Sequence, residues 1–187
     1  MKPRLILLAG PNGAGKSTFY EAHLSHLSLP FLNADVLARH VHIDSYSAAK
    51  QIASLRDYYI KERCSFITET VFSDPVGEKV RILGTAVEEG FTVDLIYIGI
   101  DSPLQSKDRV ATRVSAGGHD VPEEKLEGRY FRSLENLKRA IDTLPRVLVY
   151  DNSSSEVPHR FVAEFRDGTM FRQADEKPPH WFPPQGN

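Results

Sequence analysis

Apolar residues along this chain come in two alternating rhythms. Short unbroken runs within Arg4–Ala9, Pro30–Asn33, Ser65–Thr68, Thr92–Ile100 and Arg146–Tyr150 have strand length and end in glycine or polar residues. Between them the spacing is helical. Ala48, Ala49, Ile52, Leu55, Tyr59 and Ile60 share one face over 48–63, and Val76, Val80, Leu83 and Val87 share one over 75–90. Leu126, Tyr130, Leu134, Leu137, Ile141 and Leu144 do the same over 122–144. Lys16–Leu27 also reads as helix. Asp74 and Pro75 form a cap and first turn, and Ser102-Pro103-Leu104-Gln105 is a capping box that opens a helix running to about Ala116.

Strands alternating with helices predict an α/β three-layer sandwich with a five-stranded parallel sheet. Arg160–Phe165, the turn Asp167-Gly168 and Thr169–Arg172 read as a C-terminal β-hairpin, an addendum to that sheet or an antiparallel edge of it. Residues 1–175 are expected to form one domain and 176–187 a proline-rich tail across the surface, anchored by Trp181 and Phe182.

Composition narrows the class. A chain of 187 residues is long enough for one real core. Its longest apolar runs fall well short of the roughly 20 residues of a membrane span. A single cysteine, Cys64, excludes an intrachain disulfide. Net charge is −2 with no basic run, so no nucleic-acid footprint is expected. These features set the expectation of a cytoplasmic monomer without membrane contact.

The strongest chemical signal is Gly10-Pro11-Asn12-Gly13-Ala14-Gly15-Lys16-Ser17-Thr18, a complete P-loop pattern between a strand and a helix. Gly13 and Gly15 let successive backbone N–H groups turn toward one point, where the helix N-terminus adds its own field. Residues 11–18 are therefore the expected phosphate cradle, with Lys16 on the outer phosphates and Ser17 as a ligand for Mg²⁺. The spacing does not fit the dinucleotide fingerprint. No Asn-Lys-x-Asp follows an apolar strand, which favours ATP over GTP.

Three uses of a bound triphosphate compete. Ser115-Ala116-Gly117-Gly118-His119 superficially resembles the signature loop of transport ATPases, but the strand after it ends Asp151-Asn152 where Asp-Glu is required. A nucleotide-dependent switch acting on a protein partner needs no second substrate. A small-molecule kinase needs an acceptor hydroxyl in line with the γ-phosphate and a base for its proton. Asp35 and Glu69 end predicted strands, where open parallel sheets bind ligands. Asp35 is the candidate base, its alternative role being a helix cap. Glu69, with Thr70, is the candidate for orienting the acceptor or holding a water on Mg²⁺. Arg109 and Arg113 share a helix face, Arg129 and Arg132 lie on the next helix, and a glycine-rich loop with His119 joins the two. This is the build of a lid over about 105–132. Surface placement is the expectation for Arg132.

Taken together, the P-loop, Asn33-Ala34-Asp35, Glu69-Thr70-Val71-Phe72-Ser73, the stretch from Arg109 through Gly117-Gly118-His119-Asp120-Val121-Pro122, Arg129-Tyr130-Phe131-Arg132-Ser133-Leu134 and Asp151-Asn152-Ser153 resemble the zeta toxin family, in its compact single-domain branch. The resemblance implies an ATP- and Mg²⁺-dependent kinase that phosphorylates a hydroxyl of a nucleotide sugar such as UDP-N-acetylglucosamine. It implies Lys16, Asp35 and Arg113 as catalytic residues, and Asp35, Glu69, Thr70, His119 and Arg129 around the acceptor. It further implies an antitoxin protein as partner, and the similar spacing of a lid arginine pair in relatives such as adenylate kinase implies Arg109 stacked on adenine and Arg113 on the phosphates. The lid here lacks the longer insertion of the better-known toxins.

Overall fold

The computed structural model describes residues 2–115 and 121–182. Strands β1 (Arg4–Ala9), β2 (Phe31–Leu32), β3 (Phe66–Thr70), β4 (Thr92–Gly99), β5 (Arg146–Asp151), β6 (Arg160–Arg166) and β7 (Thr169–Gln173) form one seven-stranded sheet among the described residues, ordered β2-β3-β1-β4-β5-β6-β7. Pairing is parallel from β2 to β5 and antiparallel from β5 to β7. The expected five parallel strands are thus present, but the sheet is mixed and larger. The hairpin is continuous with it as its antiparallel edge. Val147 faces Phe165 and Val149 faces Ala163, so β6 buries its apolar residues in the same core as β5.

The helices are α1 (Lys16–His23), α2 (Ala34–Val41), α3 (Ser45–Lys61), α4 (Glu78–Glu88), α5 (Pro103–Ser115) and α6 (Glu123–Thr143). α1 is shorter than the pattern predicts, ending at Leu24 before a 3₁₀ turn over Ser25–Leu27. α4 begins three residues after Pro75: the Asp74 carboxylate caps the Glu78 N–H, Val76 is left 68% exposed and Leu55 of α3 is 39% exposed, so neither belongs to its expected inner face.

One face of the sheet presents Leu5, Leu7, Leu95 and Val147 to Leu83 of α4 and Leu137 and Ile141 of α6. The other presents Ile6, Leu8, Ile96 and Ile98 to Phe19 of α1. As expected of the tail, Trp181 and Phe182 are buried. Trp181 lies over Gly99, where any Cβ would collide with the indole, and its Nε1 donates to Asp151 Oδ1 at 3.0 Å.

Away from the carboxyl strand ends, buried Asp94 and Glu164 are laced by arginines across five strands. Arg4 and Arg146 hold Asp94, at 2.8 and 3.1 Å. Arg146 and Arg166 hold Glu164, each at 2.9 Å, and Arg172 approaches it at 3.7 Å. Burial alone would raise the Glu164 pKa, but the hydrogen bonds from Arg146 and Arg166 bring it below the ordinary carboxylate value.

Candidate active site

The chain leaves β1 toward β2 and β3 on one side and later toward β4 on the other, which opens a crevice at the carboxyl end of β1. The P-loop occupies it. Gly13 and Gly15 have φ of 72° and 84°, the left-handed conformation that side chains disfavour. The loop is fastened from two sides. Ser106 of α5 donates to the Asn12 carbonyl at 2.7 Å. Asn152, just after β5, donates to the Ala14 carbonyl at 2.9 Å while accepting from the His159 N–H at 3.2 Å.

Lys16 is buried in the first turn of α1, and its Nζ donates to the carbonyls of Gly10 and Pro11, both at 3.0 Å. Burial lowers its pKa; the charges of Glu69 and Asp35 counter that, and Arg113 adds to the lowering. Ser17 and Thr18 are exposed on the same turn.

Parallel register sets Glu69 beside Leu8, two residues before the loop. Its Oε2 accepts from Ser17 Oγ at 3.0 Å and from Asn33 Nδ2 at 2.9 Å. Asn33 also caps α2, its Oδ1 accepting from the Val36 N–H at 3.1 Å. The capping role considered for Asp35 is therefore taken by Asn33. Asp35 sits within the first turn of α2, its side chain 52% exposed and its Oδ2 4.0 Å from Arg113 Nη1. A serine hydroxyl and a carboxylate at hydrogen-bond distance beside a phosphate cradle are hard oxygen donors of the kind Mg²⁺ takes, so Ser17 and Glu69 fit that ion.

Arg109 reaches the loop edge: Nη1 donates to the Gly13 carbonyl and Nη2 to the Ser153 carbonyl, both at 3.4 Å. Burial lowers its pKa against the pull of Asp151. Arg132 donates to the Ser73 carbonyl at 2.9 Å, a bond that ties α6 to the segment after β3. The roots of the expected lid are fixed, with Ser106, Val110, Leu126 and Tyr130 buried. His119 lies outside the described residues.

Asp35, Glu69, Thr70 and Arg129 line a cavity of about 340 Å³ between the sheet, α3 and α4. It also meets Arg56 of α3 and Lys79 of α4, which the sequence reading did not single out. Nor did that reading find the roles of Asn152 and His159. The His159 ring packs on Phe19 at 5.1 Å and His23 at 5.5 Å, and burial, His23 and Arg109 lower its pKa. The one available signal was Asn152 itself, a polar residue ending an apolar strand.

A sequence model of the AAA domain family matches residues 5–133. An uncharacterized protein of Haemophilus influenzae is 28% identical over 135 residues, which cover 70% of this chain and 94% of that protein. Among solved structures, a candidate kinase from Chloroflexus aurantiacus matches with a TM-score of 0.57 and 22% identity, covering 83% of this chain and 91% of that one. A chain of the PezAT chromosomal toxin–antitoxin system of Streptococcus pneumoniae matches with a TM-score of 0.61 and 17% identity, over 87% and 71%. At these identities the structural likeness concerns the fold, which is that of P-loop kinases. The family matched is the AAA domain family rather than the zeta toxins, and the likeness to the toxin–antitoxin chain is one of fold.

Proposed function

The chain belongs to the AAA domain family, and from that premise we propose that it is an ATP- and Mg²⁺-dependent small-molecule kinase. The observation that carries this reading is the position of two carboxylates between a nucleotide loop and a separate cavity. Glu69 is bonded to Ser17 of the loop and also lines the cavity; Asp35 lines the same cavity opposite Arg113. A nucleotide switch has no use for a second cavity whose wall carries a base.

In this reading the triphosphate lies on the backbone N–H groups of residues 13–18 and the N-terminus of α1. Lys16 exchanges the Gly10 and Pro11 carbonyls for the outer phosphates, which offset the cost of its burial. Arg109 covers the adenine and Arg113 neutralises charge on the transferred phosphoryl group. Asp35 takes the proton of the acceptor hydroxyl; a positioned base typically contributes 10²–10⁴ in rate. Ser17 and Glu69 would hold Mg²⁺, which when bound supplies charge neutralisation on the phosphates. Thr70 completes the acceptor surroundings. The resemblance to zeta toxins makes a nucleotide sugar such as UDP-N-acetylglucosamine the first acceptor to try. The likeness to a toxin–antitoxin system supports an antitoxin-like protein that covers the cleft.

Label from γ-labelled ATP is expected on a small molecule, with transfer lost in Lys16→Ala and in Asp35→Asn. Label recovered only as free phosphate with every acceptor would overturn the kinase reading.

A further inference from the structure

The cavity is lined by charges of both signs. Among the described residues its carboxylates are Asp35 and Glu69, and Glu69 is hydrogen-bonded to Ser17 of the P-loop. Its cations, Arg56, Lys79 and Arg129, come from three different helices, α3, α4 and α6. Helices far apart in sequence converge three positive charges on one cavity only through the way they pack on the sheet.

Two of these cations are paired only with the adjacent residue on their own helix, and the third has no partner among the described residues. Arg129 makes no hydrogen bond or ion pair among the described residues. Lys79 has Glu78 at 3.7 Å, beyond hydrogen-bond distance. Arg56 is held by Asp57 through Nε and Nη2, at 3.0 and 2.7 Å, but its remaining N–H groups are uncommitted. Guanidinium groups suit planar or tetrahedral oxyanions, and an ammonium adds a point charge.

Resting on the kinase reading, we infer that the acceptor is an anionic alcohol: a compound whose hydroxyl meets Asp35 while its own phosphate or carboxylate is held by Arg129 and Lys79, with Arg56 beside them. A cavity of about 340 Å³ lies at the small end of the range for ligand sites, which suits a sugar with its phosphate or a hydroxy acid. Transfer forms the bond from the acceptor oxygen to the γ-phosphorus, breaks the bond to the bridging oxygen, leaves ADP, and moves the hydroxyl proton to Asp35.

The test gives the intact protein γ-labelled ATP, Mg²⁺ and a metabolite extract of the expression host, split on an anion exchanger into retained and unretained fractions. Glucose 6-phosphate, gluconate and UDP-N-acetylglucosamine, with glucose and N-acetylglucosamine as neutral counterparts, are run beside them to separate phosphate from carboxylate recognition. Label in a retained compound supports the inference. Label in an unretained one overturns it and leaves the kinase reading standing. Free phosphate alone from every arm overturns both. With the labelled compound in hand, Arg129→Gln and Lys79→Gln should each raise its KM about tenfold or more, the scale of a charge-assisted hydrogen bond. Arg129→Lys should recover part of the loss, and circular dichroism should report intact folds. Unchanged KM in both glutamine variants would place the anion elsewhere and overturn the assignment.

Discussion

Ser17 and Glu69, separated by 52 positions in the sequence, share a hydrogen bond of 3.0 Å that joins the nucleotide loop to the end of a neighbouring strand. Parallel register between β1 and β3 sets Glu69 level with Leu8, two residues before the loop, which brings it within reach of Ser17. With Asn33 on the same oxygen, Glu69 is held with little rotamer freedom left to lose. In Glu69→Ala the Mg²⁺ concentration giving half-maximal transfer should rise about tenfold or more, while the melting temperature falls slightly. A Mg²⁺ titration at saturating ATP checks this; an unchanged midpoint would remove Glu69 from the metal.

Asp35 is relieved of helix capping by Asn33. Asp35→Asn should therefore leave the fold and ATP affinity close to those of the parent while kcat for transfer falls by about 10²–10⁴. Calorimetric ATP binding beside a transfer assay separates the two. A comparable loss of ATP affinity would identify Asp35 as part of the nucleotide site.

Lys16 carries a pKa lowered from 10.5, chiefly by burial. In the alkaline window between that lowered value and 10.5, the unfolded chain holds a proton that the folded chain has released. Stability contributed by this group therefore rises with pH through the window. Triphosphate binding needs the charged form, so the increase in melting temperature caused by ATP and Mg²⁺ should shrink over the same window. Melting curves with and without nucleotide, compared with Lys16→Met, measure both signs. A nucleotide-induced shift that holds constant into strongly alkaline solution would contradict the prediction.

Trp181 is the only tryptophan, and it covers Gly99. Gly99→Ala puts a methyl group where the indole lies, so the ring must move away from Asp151. Fluorescence emission should shift to the red, and stability should fall by about 1–3 kcal/mol, as overpacking typically costs. An unshifted spectrum would mean that the tail accommodates the methyl without leaving.

Much of this was legible in the residues. The P-loop and the five parallel strands follow from unbroken apolar runs and fixed glycine spacing, both local properties. The start of α4 was not, because Asp74 caps a helix that begins at Glu78, and the pattern cannot tell a capped first turn from the turn before it. The sequence put forward Asp35 as the cap; Asn33 takes that role instead, its Oδ1 accepting from the Val36 N–H while its amide donates to Glu69. Arg56 and Lys79 read as ordinary solvated positions on amphipathic helices, since their convergence exists only after α3 and α4 pack. The merger of the hairpin with the sheet is likewise a matter of pairing between distant segments.

Both margins of the sheet are poor templates for another chain. On one side β2 offers only two residues. On the other, the β6–β7 pair shifts register between Glu164 and Phe165, and Arg172 beside it carries a charge that a docking strand would have to desolvate. Short, bulged and charged edges are the features that keep a sheet from growing by intermolecular pairing. Growth by strand pairing at these edges should accordingly be suppressed at high concentration, with no cross-β fibrils formed from them.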